Sequence, residues 1–548
     1  MDDFQIREED RDFLKKISPT IGGRFFKIPD PKLSPRERER RRLAFRNERN
    51  LYRRKSSLSN ENIISFFDKD VKFKVYSHEE WWSDKWDPLD FGAEYDFSGS
   101  FFEQFYELQL KVPRPPLINN KAENSPYCNF ADGNKNCHMI TSSNWNEDCY
   151  YGYLMVGNKD CMDCLWCSNS ELLYECIDCR NCYNLKYSRN CENCSDGAFL
   201  LNCKGVKNCL MCVNLNNKEY YFLNKKVTSE EFEKLKKILD GSYRSYKKAQ
   251  EKSQKFKKEN PVRKSNNYAS SENVLGDNIF NSRNIYFGFD VYDSEDCAYC
   301  HDGLKGRDCF DVCFFDGTEL CYESTSLIGY GFRFTMFCRD SSELFYCDNC
   351  HSCKDCFACV GLRNKQYCIL NKQYSWEEYE ELVVRIIKHM SETGEWGEFF
   401  PIENSLFAYN ETLADDYFPM EKVEVLSCGW KWKDREEKGF VESDYKIPDD
   451  IKDVDESICD EILSCEVSGE NYKIIPEELK FYKRLKVPIP RLSPNQRNKE
   501  RLMKRNPRKL WERNCDKCGE RILTTYSPER SEKVYCEKCY LEDVYQKV

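Results

Sequence analysis

Between Cys128 and Cys212 small and apolar residues recur at every third position, and the charged residues fall between them. All fourteen cysteines of this stretch share one frame of three. Given one of them, the other thirteen would do so by chance about once in a million chains, so the repeat is real. The other residues in that frame, Ile140, Ser143, Met155, Leu173 and Leu185 among them, are uncharged. A helix repeats at 3.6 residues and a strand at 2. A strict three fits neither. It predicts a narrow β-solenoid with very short strands, a corner after nearly every strand and one residue per side turned inward. Ten of the fourteen cysteines follow Asn or Asp, which tolerate the left-handed backbone that a corner needs. Cysteine steps of 12 (Cys137, Cys149, Cys161) and 15 (Cys161, Cys176, Cys191) predict coils of about that length.

A second block is a copy of the first. Cys209-Leu210-Met211-Cys212 recurs as Cys356-Phe357-Ala358-Cys359, and at the same offset of 147 Leu223-Asn224-Lys225 recurs as Leu370-Asn371-Lys372. Its frame runs from Ile279 to Cys321, slips by one near Leu327 to Phe332, and resumes at Cys338; an inserted corner residue would do this. Cys313 is out of frame and is expected to point outward. His138, His301 and His351 each follow a cysteine and are expected on the solvated outside. Thr228 to Glu231 and Ser375 to Glu378 read as capping boxes that start helices after each block. Lys234 to Asn260 reads as a Lys-rich linking helix, and residues 376–390 as an amphipathic one. Narrow β-helical antifreeze proteins are similar in architecture alone.

The ends carry a second repeat. Cys515-x2-Cys518-Gly519 is followed by Cys536-x2-Cys539, a spacing that predicts one structural Zn2+ site of four thiolates. The same module stands at the N-terminus at an offset of 459: Lys27-Ile28-Pro29 matches Lys486-Val487-Pro488. There the ligand positions are Ser56, Ser59, Ser77 and Glu80, so the metal site is lost, and packing by Trp81, Trp82 and Trp86 is expected to replace it. A half-site is readable at Cys465, with Ser468 where a partner would sit. Each module opens on a basic stretch, with 11 Lys or Arg against 3 Glu over 32–55 and 9 against 2 over 491–513. Two readings stand. Arg40, Arg41, Arg42, Arg505, Arg508 and Lys509 contact nucleic acid, or the helices are surface that pairs with the acidic stretch Asp449 to Glu470.

Composition sharpens this picture. The 548 residues include 33 cysteines and only 5 histidines, and no apolar run approaches the length of a membrane helix. The acidic N-terminus lacks the basic start and apolar core of a secretory signal, which points to the cytoplasm and to reduced thiols. The block cysteines then serve packing, since Cys is small and readily buried. Stacked thiolates binding metal, or disulfides across coils, are the alternatives. The fold expected is mainly β with helices: two Cys-lined β-solenoids joined by helices and flanked by basic ribbon modules. The segments are 1–120 (metal-less ribbon and Trp-rich segment), 121–227 (first solenoid), 228–270 (helical linker), 271–374 (second solenoid), 375–485 (helix and connector) and 486–548 (basic helix and zinc ribbon).

Trp81-Trp82-Ser83-Asp84-Lys85-Trp86-Asp87, the blocks ending in Asn217-Lys218-x-Tyr220, Phe407-Ala408-Tyr409-Asn410-Glu411-Thr412 and the terminal ribbon together resemble a family of Cys-rich, zinc-ribbon-bearing proteins of candidate-phyla bacteria. The resemblance spans nearly the whole chain. It implies further C-x2-C knuckles in relatives where this chain has Ser34 and Glu37, Ser56 and Ser59, or Ser493 and Gln496. It implies architecture and no activity. No phosphate-binding loop or Ser/His/Asp arrangement is evident. The reading is a non-enzymatic zinc-binding scaffold with protein or nucleic acid as partner. The alternatives are a thiol-based metal store or redox buffer, and an enzyme whose site is assembled from surface columns.

Overall fold

A computed structural model describes residues 4–434 and 445–544. The chain is mixed, with parallel β-structure and helices. It divides into two units, each made of two separated segments: Met1–Leu117 with Asn266–Lys433, and Ile118–Ser265 with Asp434–Val548. The modules read along the sequence are therefore grouped crosswise. The N-terminal module belongs with the second Cys-rich block, and the C-terminal module with the first.

In the second unit the first block is a parallel ladder with a step of twelve. Lys135 bridges Glu147, Glu147 bridges Lys159, and Lys159 bridges Glu171. Cys179, Cys191 and Cys203 face one another on successive rungs. The fifteen-residue cysteine spacing is twelve plus one three-residue side. The residue before each inward position is the corner: Asn136, Asp148, Asp160, Asp163, Asn190 and Asn202 all have φ near +52°. The inward residues form one buried core from Cys128 to Cys212.

Each inward thiol has a hydrogen-bonding task as well as a packing one. Cys149 Sγ donates to the carbonyl of Glu147 (3.3 Å) and Cys353 Sγ to that of His351 (3.2 Å). Serines in the same frame do the same, as Ser143 to Thr141 and Ser188 to Lys186, and also accept the N–H twelve residues on, as Ser143 does from Met155 (3.0 Å). Buried Asn134, Asn146 and Asn158 form a ladder of the same kind, each Oδ1 accepting the backbone N–H twelve residues on at 2.9–3.1 Å. The backbone carbonyls and amides around this buried core are thus satisfied by side chains small enough to fit.

In the first unit the second block forms the corresponding ladder around the core from Ile279 to Cys368. The frame slip is a shortened rung and not an insertion: Ile328 pairs with Arg339, eleven residues on, before Gly329 pairs with Ser341 at twelve. Another shortening falls at Leu275/Gly276. Both places need glycine, because a Cβ on Gly276 would lie 1.7 Å from the Gly288 carbonyl oxygen and one on Gly329 2.4 Å from that of Ser341. On the outside Phe310, Tyr322, Phe334 and Tyr346 stack along the ladder, and Phe101 and Phe400 pack on Tyr346. The capping boxes at Thr228 and Ser375 are formed. The linking helix breaks at Gly241 into Ser229–Lys236 and Tyr243–Glu259, with Ala249 and Ser253 buried.

Three outward residues differ from expectation. Cys313 leaves the ladder's interior but is fully buried, with its thiol 3.5 Å from Thr325 Oγ1. His301 is buried beside Glu39 and Asp302, and His351 packs edge-on against Trp81 and Trp82. The N-terminal module covers all three, so they face protein instead of water. His138 is half-buried between Tyr127 and Tyr151 of its own unit.

Candidate metal centre

Strand Trp511–Asn514 pairs antiparallel with Arg521–Thr524, Trp511 facing Thr524. The six residues between them are the first knuckle. Cys515 N–H donates to the Glu520 carbonyl (2.7 Å), Gly519 N–H donates to the Cys515 carbonyl (2.9 Å), and Gly519 takes φ +78°. The second knuckle opens helix Glu537–Val544 after strand Lys533–Tyr535, which lies parallel to Val262–Lys264 of the same unit. This folding brings the Sγ atoms of Cys515, Cys518, Cys536 and Cys539 within 4.8 Å of one another, with Cys518 and Cys536 at 3.8 Å.

Four thiolates around an ion bonded at about 2.3 Å form a tetrahedron with edges of about 3.8 Å, so the donor set fits a metal ion. The surroundings favour thiolate at Cys515. Burial alone would raise the Cys515 thiol, but backbone N–H groups of Cys518, Cys536 and Lys517 bring it down to about 6; that of Cys536 lies 3.2 Å from the sulfur. Cys536 and Cys539 are pushed up, by burial first and then by neighbouring thiols. A cation at the centre would resolve that conflict by favouring all four thiolates.

The N-terminal module keeps the fold without the thiols. Tyr52–Lys55 pairs with Asn62–Ser65, Tyr52 facing Ser65, the register of the C-terminal hairpin displaced by 459. Asn60 replaces the knuckle glycine at φ +64°. The four ligand positions still converge, on the carboxylate of Glu80. Its Oε2 accepts from Ser56 Oγ and from Ser77 N–H (2.9 Å), and Ser59 also bonds it. Burial would raise the Glu80 carboxyl, but these serines hold it below its ordinary value. A hydrogen-bonded carboxylate therefore stands where the other copy has its thiol cluster. The tryptophans lie beside this centre: Trp81 is buried with Nε1 on the Pro113 carbonyl (3.0 Å), and Trp86 bonds the Trp81 carbonyl (3.0 Å). A third knuckle of the same form is built by Leu463–Ser464 and Asn471–Tyr472. Cys465 sits there as Cys515 does, accepting from Ser468 N–H at 3.5 Å, and Ser493 Oγ bonds Glu470 at 2.7 Å.

The basic helices are turned inward. In the second unit Pro494–Lys504 lays Arg497 and Arg501 on the fully buried Asp163, each at 2.9 Å, and Arg501 also reaches Glu175 (3.2 Å). Arg505 pairs with Asp178 (3.0 Å). In the first unit Pro35–Leu43 repeats this on the other ladder. Arg38 meets Asp311 (2.7 Å), Arg42 meets Asp311 and Glu323 (3.4 and 3.1 Å), and Arg46 bonds Ser326. Arg41 pairs with Glu323 (2.5 Å) and Glu398 (3.1 Å). Arg40 lies over Trp430 and Lys509 over Trp511; the Arg508 Nε is buried. Arg41 and Arg42, expected at a nucleic-acid face, are thus spent inside the protein. Their partners are the corner acids Asp311 and Glu323 of the ladder, with Glu398 as a further partner of Arg41; among the described residues the acidic stretch 449–470 meets the C-terminal basic segment through Glu466, 3.5 Å from Arg491, and Glu470, bonded to Ser493. The spacing i, i+4, i+8 against rungs twelve apart was visible in the sequence, but the crosswise pairing was not.

An open hollow of about 500 Å³ is lined by residues including Ser271, Arg283, Glu295 and the corners Asn281 and Asp293. Asn281 bonds Asp293 (2.6 Å) and Arg283 bonds Glu295 across its rungs. No helix among the described residues is long and apolar enough to cross a membrane.

The sequence matches no protein-family profile and no curated protein. Among solved structures it is similar to the "putative acetyltransferase" from Desulfovibrio desulfuricans G20, at 10% identity and a TM-score of 0.10 over 43% of this chain. The match covers 66% of that protein, just under two thirds of its length.

Proposed function

We propose that this protein is a non-enzymatic binding scaffold built on two narrow β-solenoids, each clamped by a ribbon module, with one Zn2+ holding the last ribbon. The observation that carries the zinc assignment is the convergence of Cys515, Cys518, Cys536 and Cys539 in a knuckle pair whose 3.8 Å sulfur edge suits that ion. The solenoid reading rests on the twelve-residue ladder of the first block, the matching ladder of the second with its two shortened rungs, and their left-handed corners. The thiol-store reading is less well supported, because the block thiols already donate to backbone carbonyls. Membership in the Cys-rich ribbon family and a cytoplasmic location belong to the same proposal, on the sequence grounds given above.

Elemental analysis of anaerobically purified protein, with a thiol titration on the same sample, tests it. One zinc per chain, lost in Cys515→Ser or Cys539→Ser, is expected, with the block thiols free. Several metals per chain, or iron, would overturn the scaffold reading and favour stacked thiolate ligands.

A further inference from the structure

We propose that the second unit carries an oxyanion site, suited to a phosphate group, formed by Arg189, Lys257, Arg263 and Lys504. Arg189 donates from Nη1 to the carbonyl of Lys504. Arg263 is 7% exposed and donates to the carbonyls of Asn260 and Val262 (2.8 Å each) and of Lys257 (3.3 Å). The ladder ties the two pairs together. Arg189 faces Leu201 and Leu201 faces Val213 on successive rungs, and Asn214 donates to the Val262 carbonyl at 3.0 Å. Two rungs span about 10 Å, so four cationic side chains are rooted around one small patch.

Their counter-charge is sparse, with Glu175 at 4.0 Å from Lys504 and Glu532 acting on Arg263 from a distance. Among the described residues, no carboxylate pairs within 4 Å with Arg189, Lys257 or Arg263. Glu532 is engaged by Arg530 (2.5 Å), and Glu175 serves Arg501 at 3.2 Å before it reaches Lys504 at 4.0 Å. The Arg189 Nε is buried without a hydrogen-bond partner. Burial first, then repulsion from Arg189, Lys504 and Arg263, brings the Lys257 ammonium down to about 8. The other unit shows the compensated version. Arg114 holds the place of Arg263, beside strand residue Val75 as Arg263 is beside Val534, and it is paired with the buried Asp348 at 2.8 Å. Like charges held together destabilise the fold that holds them. A phosphate offers several acceptors to guanidinium and ammonium donors and would offset that repulsion. Three of these cations lie outside the basic runs at the termini, and Lys504 lies within one, so no local run marks the group.

The phosphate could be free or part of a nucleic-acid backbone, and the test separates the two. Full-length protein is titrated with inorganic phosphate by calorimetry and with a short fluorescent single-stranded RNA by anisotropy. Binding of at least one is expected, weakened about tenfold by Lys257→Gln or Arg189→Gln and unchanged by Lys255→Gln, whose side chain is 80% exposed on the same helix. Without ligand, Lys257→Gln is expected to raise the thermal midpoint, which a merely structural lysine would not do. RNA binding that falls with salt, without phosphate binding, identifies the backbone source; phosphate binding identifies the free one. Absence of both in the wild type, or binding indifferent to Lys257→Gln and Arg189→Gln, overturns the site. Metal content measured on the same samples keeps this outcome separate from that of the zinc assignment, on which the site does not rest.

Discussion

Replacing Asp163 by Asn tests the claim that buried ion pairs fasten the C-terminal basic helix to its ladder. Asp163 is fully buried and faces Arg497 and Arg501, each at 2.9 Å and each nearly or fully buried. The substitution keeps the shape and removes the charge. Arg497 retains Glu478 at 3.4 Å and Arg501 retains Glu175 at 3.2 Å, so the loss is partial. Breaking a buried pair costs about 3–5 kcal/mol, and the lower end applies here. At 1.36 kcal/mol per decade, about 3 kcal/mol is a hundredfold change in local opening. Global unfolding is a poor readout in a chain of two units. Hydrogen exchange by mass spectrometry on 494–504 reads the helix itself. Protection there should fall about a hundredfold in Asp163→Asn, with 35–43 unchanged, and Asp311→Asn should show the converse. A fall of less than about fivefold would refute the reasoning, since that is what an exposed pair is worth.

Three further outcomes follow from the ribbons and ladders. Converting Ser56, Ser59, Ser77 and Glu80 together to Cys should raise the metal content by one ion per chain; folded protein with unchanged metal would show that the first module has lost the geometry. Glu80 titrates below its unfolded value, so its stabilisation is full above the unfolded range near about 4.3 and is lost as pH falls through the folded value. Protection of 77–82 should drop with acid in the wild type and be lower and nearly independent of pH in Glu80→Gln, and a parallel pH response in both would contradict this. Cys164→Leu should lower the thermal midpoint by overpacking, about 1–3 kcal/mol, and Cys164→Ser should cost less because serines in that frame make the same carbonyl bond; equal losses would count against the narrow interior.

The period of three, the left-handed corners and the four clustered thiols were legible because each is local. A residue's frame decides whether it faces inward, and Asn136 or Asp148 declares its corner without reference to the rest of the chain. The pairing of Arg501 with Asp163 and of Arg42 with Glu323 was not legible, because nothing local tells a basic helix which acid it will meet. The same lack of a local signal left Cys313 and His301 expected in solvent, although a distant module buries them. Glu80 was read as a missing ligand; its role as an acceptor for Ser56, Ser59 and Ser77 depends on the hairpin register.

The crosswise grouping has a consequence for synthesis. The ribosome releases the N-terminal module first and then about 150 residues before its own ladder begins, roughly ten to thirty seconds at about 5–20 residues per second. During that time the growing chain exposes Asp163 and Glu175, acids at the rungs that correspond to the Asp311 and Glu323 which Arg38 and Arg42 engage, with Asp178 beyond them. The decoy differs at one point. Arg46 already carries Glu48, and its proper ladder offers the neutral Ser326, where the decoy offers the acidic Asp178. The third arginine of the basic segment is thus the position at which the two ladders differ in charge, with neutral Ser326 under Arg46 and acidic Asp178 under Arg505.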